Sequence, residues 1–163
     1  MAIEFFLNIQ GEFLTPGILI SEVNKLGVGT IPLVENTKNG FRIESHFNSL
    51  GFTVSVFKST KPPYNIVDTA FLDEKEFEFN QNIYFRFNKE LDFTPSFENA
   101  IKIIQGVMCN ANTRALLNSS MRDDLCFFDY DKTLHINTLA EMWNNIDIAK
   151  ELEKWNVKAH PVS

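Results

Sequence analysis

Cysteine is nearly missing from this chain, and the shortage excludes a disulfide scaffold. Of 163 residues only Cys109 and Cys126 are cysteine. They form neither a CxxC pair nor a zinc-ligand pattern. They read as two free thiols, one on a helix and one on a strand, in a reducing compartment. Seven glycines and six prolines leave no flexible linker or low-complexity stretch. Basic charge is also short, with 15 Lys and Arg against 21 Asp and Glu, a net charge of -6. Such a surface repels nucleic-acid phosphates and anionic lipid, and it favours a basic partner. No apolar run approaches the roughly 18 residues of a membrane-spanning helix. Met1-Ala2-Ile3-Glu4-Phe5-Phe6 lacks the basic start and apolar core of a signal peptide. The expected compartment is the cytoplasm, with no membrane and no nucleic acid as direct partner.

Phenylalanine is abundant, with 16 copies beside three Tyr and two Trp. A ring without a polar handle belongs in a core. The length suits one domain over residues 1–163, with an ordered core 1–156 and a loose polar tail 157–163.

Local patterns give the elements. Ile3, Phe5, Leu7 and Ile9 alternate with polar residues and predict a strand. Thr15-Pro16 reads as an N-cap with proline at the first helical position; Leu19, Val23 and Leu26 form the apolar stripe, and Gly27 ends the helix. Residues 30–34 predict an edge strand marked by Pro32. Phe41 to Phe47 and Phe52 to Val56 alternate around Asn48-Ser49-Leu50-Gly51 and predict a hairpin. A second hairpin is predicted for Glu76–Phe79 and Ile83–Phe87 around Asn80-Gln81-Asn82, after a short strand within 66–72.

Thr94-Pro95 opens a longer helix with Phe97, Ile101, Ile104 and Met108 on one stripe. Residues 115–118 carry no clear period. Residues 124–128 and 133–136 predict strands around Asp129-Tyr130-Asp131-Lys132. Thr138-Leu139-Ala140-Glu141 matches a capping box, predicting a last helix with Met142, Trp143, Ile146 and Ala149 inward. The sum is an α+β fold, a mostly antiparallel sheet of six to eight strands with helices packed on one face.

One segment resembles a catalytic signature. Leu125-Cys126-Phe127-Phe128-Asp129-Tyr130-Asp131-Lys132-Thr133 follows the apolar strand and Asp-x-Asp-x-Thr opening of haloacid-dehalogenase-type phosphatases. There the first Asp is nucleophile, the second acid/base, and both help hold Mg²⁺. That chemistry needs a parallel sheet and further Ser/Thr, Lys and acidic motifs downstream. Only 30 residues follow Thr133, and they offer mostly one helix. A hairpin turn with an acidic tip explains the same residues. Asp123 and Asp124 with Asp129 and Asp131 leave a weak Mg²⁺ or Ca²⁺ site open, without EF-hand spacing. His46, His135 and His160 fall in a strand, a strand and the tail, away from any nucleophile. His46 is expected as a solvated side chain. GxSxG, HExxH, P-loop and GxGxxG motifs are missing, so the chain reads as non-enzymatic, with no metal or other cofactor.

The remaining signal is acidic. Asp73, Glu74, Glu76 and Glu78 surround one strand start; Asp123, Asp124, Asp129 and Asp131 flank another. They are solvating charge or a docking surface for a basic protein. Exposed Tyr130, Tyr64 or Tyr84 would anchor such a contact.

The order of elements, the opening Met-Ala-Ile-Glu-Phe strand, the Asp-Asp-Leu-Cys-Phe-Phe-Asp-Tyr-Asp-Lys-Thr-Leu-His-Ile-Asn hairpin and the Trp143 helix together resemble small bacterial immunity proteins of polymorphic-toxin systems, of the Sit and contact-dependent-inhibition types. The resemblance implies a cytoplasmic protein that binds a cognate toxin domain, often a nuclease with a basic cleft, and blocks it. It assigns no binding residue to a numbered position, because such interfaces diverge from pair to pair.

Overall fold

The computed structural model describes residues 3–59, 61–121, 123–144, 150 and 152–162. In chain order the elements are β1 (Glu4–Ile9), α1 (Pro16–Asn24), β2 (Val34–Thr37), β3 (Gly40–Ile43), α2 (Phe47–Leu50), β4 (Phe52–Lys58), β5 (Ile66–Asp68), β6 (Glu76–Glu78), β7 (Gln81–Phe87), α3 (Phe93–Cys109), β8 (Ala115–Ser119), β9 (Asp124–Phe128), β10 (Thr133–Asn137), a 3₁₀ turn (Glu141–Trp143) and β11 (Asn156–His160). Nine strands form one sheet in the order β11-β10-β9-β8-β1-β7-β4-β3-β2, and β5-β6 form a separate ribbon. Among the described residues every pairing is antiparallel except β10 with β11. The fold is α+β, as the alternation and the two Pro-marked helices predict.

The helices bury one sheet face. Leu19 and Val23 of α1 and Phe97, Ile101, Ile104 and Met108 of α3 join Phe5, Leu7, Val54, Phe85, Leu117 and Phe128 in one core. The Thr15 hydroxyl accepts from the Ile18 N–H at 3.4 Å, capping α1 as expected. The helix α3 starts slightly earlier than its Thr-Pro signal, at Phe93 with Asp92 as N-cap. On the opposite face the ribbon buries Phe77 and Phe79 against Leu116 and Phe127.

Four expectations are corrected. First, β6 and β7 do not pair: β6 joins β5, while β7 lies between β1 and β4. Alternating aromatics signal a strand but not its partner, and the reversal at Asn80 carries the chain from the ribbon back into the sheet. Second, Phe47 opens the short helix α2 rather than ending a strand. The preceding His46 is 2% exposed, its ring nitrogens 2.8 Å from the Thr30 hydroxyl and 2.9 Å from the Ser45 hydroxyl, so it is a bonded core group.

Third, residues 157–160 of the expected loose tail, together with Asn156, form β11. Fourth, Thr138 caps no helix. It lies in a turn where Asn137 Oδ1 accepts from Leu139 N–H, and the 3₁₀ turn begins after Ala140. The rest of that expected helix, including Ile146 and Ala149, lies outside the described residues.

Candidate functional site

The ribbon decides where charge gathers. Burial of Phe77 sends its neighbours Glu76 and Glu78 to the exposed side, because strand side chains alternate. Phe77 meets Phe127 edge-on at 5.5 Å, and Phe71 stacks on it at 6.2 Å. This packing brings the acidic end of the ribbon beside the start of β9. There Asp124 Oδ2 accepts hydrogen bonds from the Thr69 hydroxyl at 3.0 Å and the Ala70 N–H at 2.8 Å.

The result is a cleft of about 590 Å³ lined by Asp68, Glu74, Glu76, Asp123 and Asp124. Thr69, Ala70, Lys75, Asn137 and Val162 complete the lining. Burial pushes the Asp124 carboxyl above its ordinary value, with further repulsion from Asp123 and Asp68; the Ala70 and Thr69 bonds oppose the shift. Asn137 Nδ2 donates to the Asp124 carbonyl at 2.7 Å and ties β10 to this end.

The eight carboxylates of the two sequence clusters therefore divide differently from the sequence. Glu74, Glu76, Asp123 and Asp124 share the cleft. Asp73 is exposed in the turn before β6, and Glu78 lies on the ribbon within 3.5 Å of Asn65 Nδ2. Asp129 and Asp131 stand at the other end of β9, about 16 Å away by strand rise. Asp123 and Asp124 thus do not converge with Asp129 and Asp131 on one cation. Asp68, Thr69 and Asn137 were missed because nothing local marks them; they reach the cleft only through the ribbon's packing and the β9-β10 pairing.

The Asp-x-Asp-x-Thr segment is a tight hairpin. Asp131 and Lys132 have φ of 60° and 59°, and Thr133 N–H donates to the Tyr130 carbonyl at 3.3 Å. Two consecutive left-handed residues make a type I′ turn, which matches the twist of the flanking strands. Both neighbours of β9 are antiparallel to it, unlike the parallel strand a phosphatase nucleophile requires. The Asp129 carboxylate faces Arg114 Nε at 3.3 Å and His135 Nε2 at 3.8 Å. The Arg114 guanidinium lies 4.9 Å from the Phe127 ring centre and 5.9 Å from that of Tyr130.

The three expected anchors differ in exposure. Tyr64 is 80% exposed and Tyr130 48%. Tyr84 is half-buried on the outer sheet face, stacked on Phe6 at 5.1 Å, and its hydroxyl donates to Glu4. Burial and that bond push its pKa up to about 12.

These features describe an acidic α+β protein with a carboxylate-lined cleft at one end of its sheet and a cation-aromatic cluster at the other. The chain belongs to the SitI3-like family, whose model matches residues 14–147. That family name points to Sit-type immunity proteins. No curated protein and no solved structure matches the chain.

Proposed function

We propose that this protein is an immunity protein that binds one cognate toxin domain in the cytoplasm and neutralises it by covering a basic active site, most simply that of a nuclease. The family membership supports the class. The observation that carries the surface is the convergence of Asp68, Glu74, Glu76, Asp123 and Asp124, from two distant segments, on one cleft. Carboxylates so placed occupy positions that substrate phosphates take on a basic toxin, and they speed the encounter of oppositely charged surfaces. Tyr64, exposed just before β5 at the ribbon end away from the cleft, is a second, aromatic contact for the same partner. Inhibition on this reading is stoichiometric and steric, and no bond is made or broken by the immunity protein.

The test is binding of this chain to a candidate cognate toxin domain, sought first in the neighbouring gene. Glu74→Lys with Asp123→Lys should slow association by about tenfold or more, with the difference shrinking as salt rises. Asp73→Lys, Glu78→Lys, Tyr130→Ala and Asp131→Lys, each away from the cleft lining, map the rest of the contact. Unchanged association and affinity in the doubly reversed variant would exclude the cleft as the docking surface.

A further inference from the structure

We infer that β11 is a proton-releasable strand, held to β10 by a direct histidine–histidine hydrogen bond that a second proton breaks. The strand is a parallel edge, and its side chains from Asn156 to Ala159 are exposed. Little burial therefore reinforces its backbone ladder. Its start is fastened by Trp155, which packs edge-on against Phe128 at 4.9 Å. At its far end Thr138 N–H donates to the His160 carbonyl, and His160 Nε2 lies 2.8 Å from His135 Nδ1.

A hydrogen bond between two ring nitrogens needs one proton between them. His135 Nε2 faces Asp129, so its proton sits there and Nδ1 offers its lone pair. His160 Nε2–H is then the donor. One added proton on the pair still leaves a single proton between the rings and keeps the bond in place, charge-assisted. A second must land on His135 Nδ1, the bonded nitrogen itself. Two N–H groups and two cations then face each other, and the clamp opens.

The surroundings set when this happens. Asp129, on the β9-β10 turn, favours charge on His135 but is shared with Arg114, which leads into β8. Lys158 of β11 opposes that charge. The ribbon presents the Phe71 ring at 6.4 Å and β9 the Phe127 ring at 6.2 Å, neither of which titrates. Burial first, then His160, hold the His135 pKa below its ordinary value. A lowered histidine pKa gives stability that is complete above about pH 6.5 and lost as pH falls through the lowered value. Two residues beyond the end of β11 the chain reaches Val162, which lines the acidic cleft. Release therefore frees Val162 from the lining of that cleft, whatever partner the cleft takes.

Hydrogen exchange on the full chain, read residue by residue between about pH 7.5 and about pH 5, tests this. Protection factors of the β10-bonded amides in Val157–His160 should fall by about tenfold or more, while those of β4 and β7 hold. In His160→Gln the β11 values should stay flat. No fall in the wild type, an equal fall in His160→Gln, or parallel loss across β4 and β7 would overturn the inference. The unsubstituted protein gives a second readout. Imidazole NMR signals should titrate in two steps, with β11 opening on the second; opening on the first would refute the mechanism.

Discussion

Glu22 of α1 occupies the space that a side chain on Gly106 of α3 would need. Its Oε2 lies 1.8 Å from the position of a Cβ built there. The carboxylate is only 7% exposed and pairs with Lys25 Nζ at 2.7 Å. Gly106 is thus the notch through which a charged residue enters the helix–helix contact.

That contact predicts strong coupling. In an exposed helix interior Gly→Ala stabilises by about 1 kcal/mol. Gly106→Ala should not gain this, because the Glu22 carboxylate must move from its partner. In a Glu22→Ala background the same change should stabilise by about 0.5–1 kcal/mol. Urea denaturation of the four proteins measures the cycle, and an equal effect of Gly106→Ala in both backgrounds would contradict it.

The acidic turn predicts a gain rather than a loss. Asp131 is exposed at φ 60°, a conformation that glycine adopts freely and Asp only with some strain. Asp131→Gly should raise stability by about 0.5–1 kcal/mol, visible as a higher melting temperature. A phosphatase built on the same aspartate would instead lose its acid/base.

The cleft predicts a pH slope. The Asp124 carboxyl is raised above its unfolded value, so the folded state holds its proton more tightly than the unfolded state. The stability this group contributes is complete below its unfolded pKa near 4 and is lost as pH rises through the raised folded value. Asp124→Asn keeps an acceptor for Ala70 and Thr69 and removes the charge. The stability difference between variant and wild type should grow in the variant's favour from about pH 4 towards neutrality. A difference that does not change with pH would show that Asp124 ionises freely in the fold.

What the sequence disclosed follows from what each residue touches. The stripe Phe97, Ile101, Ile104, Met108 is legible because one side of α3 meets the core. Strand β8 is not, because Leu116 packs under the ribbon while Leu117 faces the helices, so both faces are apolar and no alternation survives. Strand β11 is opaque for the opposite reason: its residues are exposed, and its partner is reached by a crossover rather than a turn. The cleft was half legible. Glu76 stands beside a buried Phe77 in plain alternation, but Asp124 joins it only through bonds to Thr69 and Ala70, 55 and 54 positions away.

The central place of β1 has a consequence for synthesis. Strand β1 is made before both its neighbours, β7 on one side and β8, which ends at Ser119, on the other. While the ribosome is still adding α3, one edge of β1 with buried-type side chains Phe5, Leu7 and Ile9 has no neighbour. Such an edge templates pairing with other nascent chains. A stalled or truncated product ending near residue 110 should therefore aggregate, and a chaperone that holds β1 until β8 emerges would protect the yield of native protein.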